Sequence, residues 1–402
     1  MNTNNLTLKK LDKVYSEENP SFFIKDLKKK FKISKLIDNR KEFLFKLKLT
    51  QKNFKNVELL DLGCGSGQNT IVFDSLGARC TMVEFNKNSY NNAKKLFKIY
   101  SKNKFKIFNK DLFDFKIKKK FDIVVSNGVA HHTYDVKKNI DLACKYVKKN
   151  GFIILGVCTP EGWFQRNLQR AILFQISNNK VEVIKNAKNL YSEHLLRSKK
   201  FGLRTINEII FDTYVNPKIN CISYENIKKI FQKNGIINFS SLNYDKRIDF
   251  FANPNYDQQK QSIVKGKKIR EFNLSPIHEF SISNLKFEEK KFFEFFRIIT
   301  LHLNKVVNQI NDINNKSKIQ LSTKNLSLLA SKLKKGLKLD LINVPYNLNF
   351  INEIKKIYKI LSSKQNNEIK ISKLKKTLAK NKNLFKGSCG VGMNYFVGYK
   401  KR

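Results

Sequence analysis

The chain has 402 residues, 41% hydrophobic and 12% aromatic, enough for a sizeable core and for two or three domains of ordinary size. Its net charge of +46 opens two readings, a surface selected for a polyanion such as RNA or an anionic membrane, or a coding bias that enriches Lys, Asn and Ile together; the lysines scatter along the whole chain and Arg is rare. No uninterrupted apolar run of about 18 residues occurs, so no transmembrane span is expected, and six scattered cysteines without metal-ligand spacing point to no metal site and to a reducing, cytoplasmic compartment.

Residues 1–50 are basic, with apolar positions at Phe22, Phe23, Leu27, Phe31, Ile33 and Leu36, and predict an N-terminal helical extension. From Val57 the pattern changes to short apolar runs alternating with amphipathic stretches. The runs Val57–Leu62, Cys80–Glu84, Lys104–Phe108, Phe121–Ser126 and Phe152–Val157 predict five strands, with helices over Asn88–Tyr100 and Asp135–Lys149 between them. This alternation predicts an α/β fold with a doubly wound parallel sheet.

Beyond Val157 the rhythm loosens into helical pieces and an irregular segment at Phe211–Asn220. Ser223 then caps a helix to Lys233, and Ile236–Tyr244 alternates like a strand. A Lys-rich, nearly glycine-free block follows, with a broad apolar face over Phe287–Ile310. Met393–Lys400 reads as a last strand that pairs with Ile236–Tyr244, making the block an α-helical insertion near the C-terminus. The expected divisions are 1–50, 51–250, 251–386 and 387–402; nothing in the pattern specifies an oligomeric state.

The sharpest local feature is Asp61-Leu-Gly63-Cys64-Gly65-Ser-Gly67, where a buried strand runs into three alternating glycines and then a helix. Glycines let the backbone turn tightly and approach a ligand, and a helix N-terminus offers free N–H groups to an anion. Dinucleotide binders want Gly-x-Gly-x-x-Gly, whereas here Gln68 stands where their third glycine belongs. The segment instead resembles the first motif of the class I S-adenosylmethionine-dependent methyltransferases, Asp/Glu-x-Gly-x-Gly-x-Gly. The resemblance continues in order. Glu84 ends the second strand, in position to accept both ribose hydroxyls. Asp111-Leu112 follows the third strand, in the family's place for an acidic residue facing the adenine amine. Phe121–Thr133, containing Asn127 and His131-His132, resembles the fourth motif, which lines the methionine end. Lys148-Lys-Asn-Gly151 resembles the turn into strand five.

The matched stretch covers residues 57–157, with weaker similarity to about residue 245 and at Met393–Lys400. It implies a Rossmann-like methyltransferase sheet, S-adenosylmethionine as cofactor, and a cofactor site at Asp61, Gly63, Cys64, Gly65, Gly67, Glu84, Asp111, Leu112 and Asn127. Cys64 has no activating base beside it in the motif and reads as a packing residue. Two roles stay open for His131 and His132, a general base for an oxygen or nitrogen acceptor or a purely shaping role. Trp163, Asp212 and Tyr214 lie in the region after strand five where such enzymes build the acceptor pocket, with packing as the alternative for Trp163. The leading expectation is methyl transfer to a small-molecule or lipid-linked acceptor. An RNA-directed enzyme and a cofactor-binding docking protein are the alternatives, the first weakened by the lack of any separate RNA-binding motif.

Overall fold

The computed structural model describes residues 3–17, 30–216 except 203, 219–242, 344–380 and 393–401, together with short helical stretches within 327–335. Phe22, Phe23, Leu27 and most of the 251–386 block, including the Phe287–Ile310 face, lie outside the described residues.

The chain divides into two compact units. The first contains Met1–Val157, Pro217–Leu242 and Asn394–Arg402, and holds the sheet. Two N-terminal helices, α1 (Thr3–Glu17) and α2 (Lys30–Lys46), lead to β1 (Glu58–Leu62), α3 (Thr70–Ser75), β2 (Arg79–Glu84), α4 (Lys87–Tyr100), β3 (Lys106–Asn109), β4 (Phe121–Asn127), α5 (Val136–Tyr146) and β5 (Val147–Cys158). With β6 (Ile236–Leu242) and β7 (Met393–Lys400), the seven strands lie in the order β3-β2-β1-β4-β5-β7-β6. β1 pairs in parallel with β2 and with β4, as β2 does with β3 and β4 with β5. The order therefore reverses between β1 and β4, the place where open α/β sheets bind ligands beyond the carboxyl ends of their strands.

The sheet forms because the apolar runs are buried on both faces. Leu59, Leu60 and Leu62 of β1 and Val124 of β4 are fully buried, each side chain contributing about 1.5–3 kcal/mol relative to exposure. Side-chain caps start the helices: Asn86 Oδ1 accepts from the Ser89 N–H at 2.9 Å for α4, and Asp135 Oδ1 from the Lys138 N–H at 2.9 Å for α5. The predicted helix to Lys149 ends earlier, at Tyr146, because Val147 already pairs with Phe121. The chain then bulges through Asn150, which has φ +61°, before Phe152 pairs with Ile123.

The expected return strand is present. β6 (Ile236–Leu242) pairs antiparallel with β7 (Met393–Lys400) in the register Ile236 to Lys400 through Leu242 to Tyr395. Ser223 caps α10 (Tyr224–Lys233), the helix that leads into β6, as anticipated.

The second unit comprises Cys158–Asn216 and Asn243–Met393, so the segment that follows β5 belongs to it. Its described helices are α6 (Pro160–Ile176), α7 (Lys180–Leu190), α8 (Ser192–Gly202), α9 (Ile206–Ile210), α11 (Val344–Ser362) and α12 (Asn367–Lys380). The predicted irregular segment from Phe211 begins as a π-helical turn, Phe211–Val215, continuing directly from α9, whose Thr205–Glu208 capping box fixes its start. Among the described residues no helix is long and apolar enough to cross a membrane.

Candidate active site

The carboxyl ends of β1, β2, β3 and β4 bring the first-unit candidates to one edge of the sheet. β1 ends at Asp61-Leu62 and hands over to the glycine loop, whose three glycines all have positive φ: +80° at Gly63, +56° at Gly65 and +76° at Gly67. Only glycine adopts this succession without strain. A Cβ on Gly63 would sit 2.6 Å from Val129 Cγ1, so glycine also lets the loop pass close to the chain after β4. The Gly63 N–H donates to the Val83 carbonyl at 2.8 Å, tying the loop to β2.

Glu84, the last residue of β2, is 6% exposed. Its Oε2 accepts from the Gly65 N–H at 2.8 Å and its Oε1 from the Asn86 N–H at 2.9 Å. Burial pushes its pKa up to about 7, against the opposing pull of these two N–H donors, with Asp61 raising it further. Asp61, 3% exposed, accepts from the Thr70 hydroxyl at 2.5 Å, and burial raises its pKa to about 6. Cys64 donates to the Gly65 carbonyl at 3.4 Å; burial first, then the Glu84 and Asp61 charges, hold its thiol well above the ordinary value. It is a neutral packing thiol, not a nucleophile.

Asp111 follows β3. Its Oδ1 accepts from the Phe113 N–H at 2.9 Å, and partial burial raises its pKa. Leu112 beside it is buried. At the end of β4, Asn127 Oδ1 is buried with no hydrogen-bond partner among the described residues, and it lies where a Cβ on Gly156 would be. Ser66 Oγ, in the glycine loop, is likewise buried and unpartnered among them.

His131 and His132 follow in a short 3-10 turn, Ala130–His132, their ring centroids 4.2 Å apart. The His131 carbonyl accepts from the Asn220 N–H at 2.7 Å, and the Thr133 carbonyl from Asn220 Nδ2 at 3.2 Å, so the segment before α10 fixes the turn. Burial, and the neighbouring His132, hold the His131 pKa well below its usual value, so its imidazole is neutral at pH 7.

The three candidates after β5 belong to the second unit and make contacts inside it. Trp163 is 5% exposed, with the Arg166 guanidinium 4.9 Å from its ring. Asp212 pairs with Arg204 at 2.8 Å, and the fully buried Tyr214 hydroxyl donates to Gln169 Oε1 at 2.8 Å. Sequence reasoning missed Thr70 and Asn86, single polar residues that become legible only once the partner carboxylate is located. It also missed the buried Arg170 on α6, whose pKa burial lowers to about 10.

The site suits an adenosyl cofactor on three counts. A carboxylate stands at the end of β2 with acceptor capacity left on both oxygens, a backbone cradle requires glycine, and two buried polar side chains await partners. No group of His, Cys, Asp and Glu among the described residues could hold a metal ion.

Residues 60–155 match the family described as "Methyltransferase domain". The chain is also 34% identical over 111 residues to the ubiquinone biosynthesis O-methyltransferase of Pelagibacter ubique, a match covering 28% of this chain and 46% of that relative. Among solved structures, it is similar to PKMT2 from Rickettsia typhi in complex with AdoHcy, at 18% identity and a TM-score of 0.39 over 52% of this chain and 44% of that one. It is similar to the magnesium protoporphyrin IX methyltransferase of Synechocystis with bound SAH, at 16% identity and a TM-score of 0.32 over 59% of this chain and 87% of that one. The matched relative and PKMT2 are thus spanned for about half of their length or less. The strand order, the glycine loop with Glu84 and the family match over residues 60–155 agree: the chain carries a class I S-adenosylmethionine-dependent methyltransferase domain.

Proposed function

We propose that the protein transfers a methyl group from S-adenosylmethionine to an oxygen or nitrogen of a small-molecule or lipid-linked acceptor. The observation that carries this reading is the Glu84 carboxylate locked to the glycine loop through the Gly65 N–H. A dinucleotide-binding loop of different glycine spacing would not place a third glycine at Gly67.

In this reading, Glu84 accepts the ribose hydroxyls, the 63–67 backbone receives the amino-acid end, and Asp111 with Leu112 meets the adenine. Asn127 faces the methionine end. When bound, the cofactor supplies an electrophilic methyl on sulfonium sulfur. The protein's work is then alignment and exclusion of water. His131, held neutral by burial, and His132 follow β4, and in this reading a neutral His131 imidazole takes the proton that an attacking hydroxyl or amine loses. Trp163, Asp212 and Tyr214 make contacts with Arg166, Arg204 and Gln169 in the second unit, and their role as acceptor contacts is part of this proposal.

The similarity to an O-methyltransferase favours an oxygen acceptor. The net charge of +46 favours the second reading, an RNA acceptor. Incubation with methyl-labelled S-adenosylmethionine, small phenols, a lipid extract and total RNA separates them. Label in phenols or lipid, insensitive to salt between 50 and 200 mM on the scale of nucleic-acid binding, supports the first reading. Label in RNA that falls steeply with salt replaces it with the second.

A further inference from the structure

The N-terminal helix α1 is fastened to the chain that leaves β2. Asn86, 1% exposed, is the centre of the attachment. Its Nδ2 donates to Asp12 Oδ1 at 2.8 Å and to Ser16 Oγ at 3.2 Å, one helical turn apart on α1. Its Oδ1 caps α4 through the Ser89 N–H, and its own N–H donates to Glu84 Oε1 at 2.9 Å. Tyr15 of α1 meets Phe85 edge to face, with ring centroids 6.4 Å apart. Residues 84–86 are thus held from one side by the glycine loop and from the other by α1.

A buried carboxamide must satisfy both N–H groups, and here both go to α1. Without α1, Nδ2 would lose both acceptors, and the Asn86 side chain would be fixed only through the bond its Oδ1 accepts from the Ser89 N–H. The N–H that steadies Glu84 Oε1 belongs to the same residue, so disorder in the side chain reaches the carboxylate. We propose that α1 is a working part of the cofactor site, with Asp12 as a positioning residue that acts through Asn86 on Glu84, so that α1 docking and cofactor binding are coupled. This rests on the reading of Glu84 as the ribose-binding carboxylate. Coupling between the two is reciprocal: whatever α1 contributes to cofactor affinity, the cofactor returns to the docking of α1.

The alternative is that α1 only covers the sheet edge. Full-length wild type, Asp12→Ala and Asp12→Asn distinguish the two. A carboxamide oxygen accepts the same hydrogen bond as the carboxylate, so Asp12→Asn retains the wild-type dissociation constant for S-adenosylmethionine. Asp12→Ala weakens binding about fivefold, the scale of one hydrogen bond. Amide hydrogen exchange across residues 3–17 slows when the cofactor is added to wild type. Equal affinity in all three proteins, equal weakening in both variants, or exchange in 3–17 that ignores the cofactor would overturn the coupling while leaving the proposed function standing. Failure of wild type itself to bind overturns both.

Discussion

Glu84 Oε2 accepts a hydrogen bond from the Gly65 N–H at 2.8 Å, so the carboxylate ending β2 is joined to the middle of the loop that follows β1. In the reading proposed here, the same carboxylate accepts the ribose hydroxyls. Glu84→Gln keeps the shape but replaces one acceptor with a donor and removes the charge. Charge-assisted hydrogen bonds are worth about 1.5–3 kcal/mol, so the dissociation constant for S-adenosylmethionine rises by about 10- to 100-fold, read by calorimetry.

The raised pKa values of Glu84, about 7, and Asp61, about 6, fix the sign of a pH dependence. Both groups hold their protons more tightly folded than unfolded, so their contribution to stability is full below about pH 4 and is lost as pH rises to about 7. Glu58 and Asp141, whose pKa values are lowered, act oppositely, stabilising above the ordinary carboxylate range and losing that contribution in acid. Between pH 5 and 7 these two carboxyls lower the stability of the free protein as pH rises, against the opposite contribution of the buried His131, and Glu84→Gln removes the Glu84 share of the slope, as urea titrations of wild type and variant at each pH would show. Ribose hydroxyls favour the ionised carboxylate, so cofactor affinity runs the other way and increases from pH 6 to 8.

Gly63 and Gly235 both have positive φ but differ in surroundings. A Cβ at Gly63 meets Val129 Cγ1 at 2.6 Å, whereas one at Gly235 meets nothing within 4 Å. Gly235→Ala costs only the conformational penalty of about 1 kcal/mol. Gly63→Ala adds a steric clash and costs about 2–4 kcal/mol. Thermal unfolding of the two variants checks the difference, and Val129→Ala in the Gly63→Ala background restores part of the loss.

The strands, the return strand Met393–Lys400 and the glycine loop were legible in the sequence because each is written in local pattern: apolar runs, alternation, glycines at fixed spacing. The end of α5 was not. Residues Val147–Lys149 carry helical propensity, yet Val147 pairs with Phe121, and tertiary pairing outweighs local preference. The π turn at Phe211–Val215 was hidden for a similar reason, since nothing local separates it from an irregular segment. The placing of Asp61, Glu84 and Asp111 at or just after the carboxyl ends of strands was legible in the pattern. Thr70, Asn86 and Asp12 were not, because their importance lies in partners 9, 2 and 74 residues away.

His131 is kept neutral by burial and by His132. At saturating cofactor and acceptor, the turnover rate therefore shows no ionisation limb from His131 between pH 6 and 8. A limb in that range that disappears in His131→Gln would show that the imidazole charges there, against the structure.

The most direct test of the central claim is calorimetric titration of S-adenosylmethionine into wild type, Glu84→Ala and Gly65→Val. Wild type binds at a single site of roughly micromolar strength, about −8 kcal/mol, and both variants lose that binding while they stay folded. A well-folded wild type that takes up no S-adenosylmethionine, or variants that bind it as tightly as wild type, would contradict it.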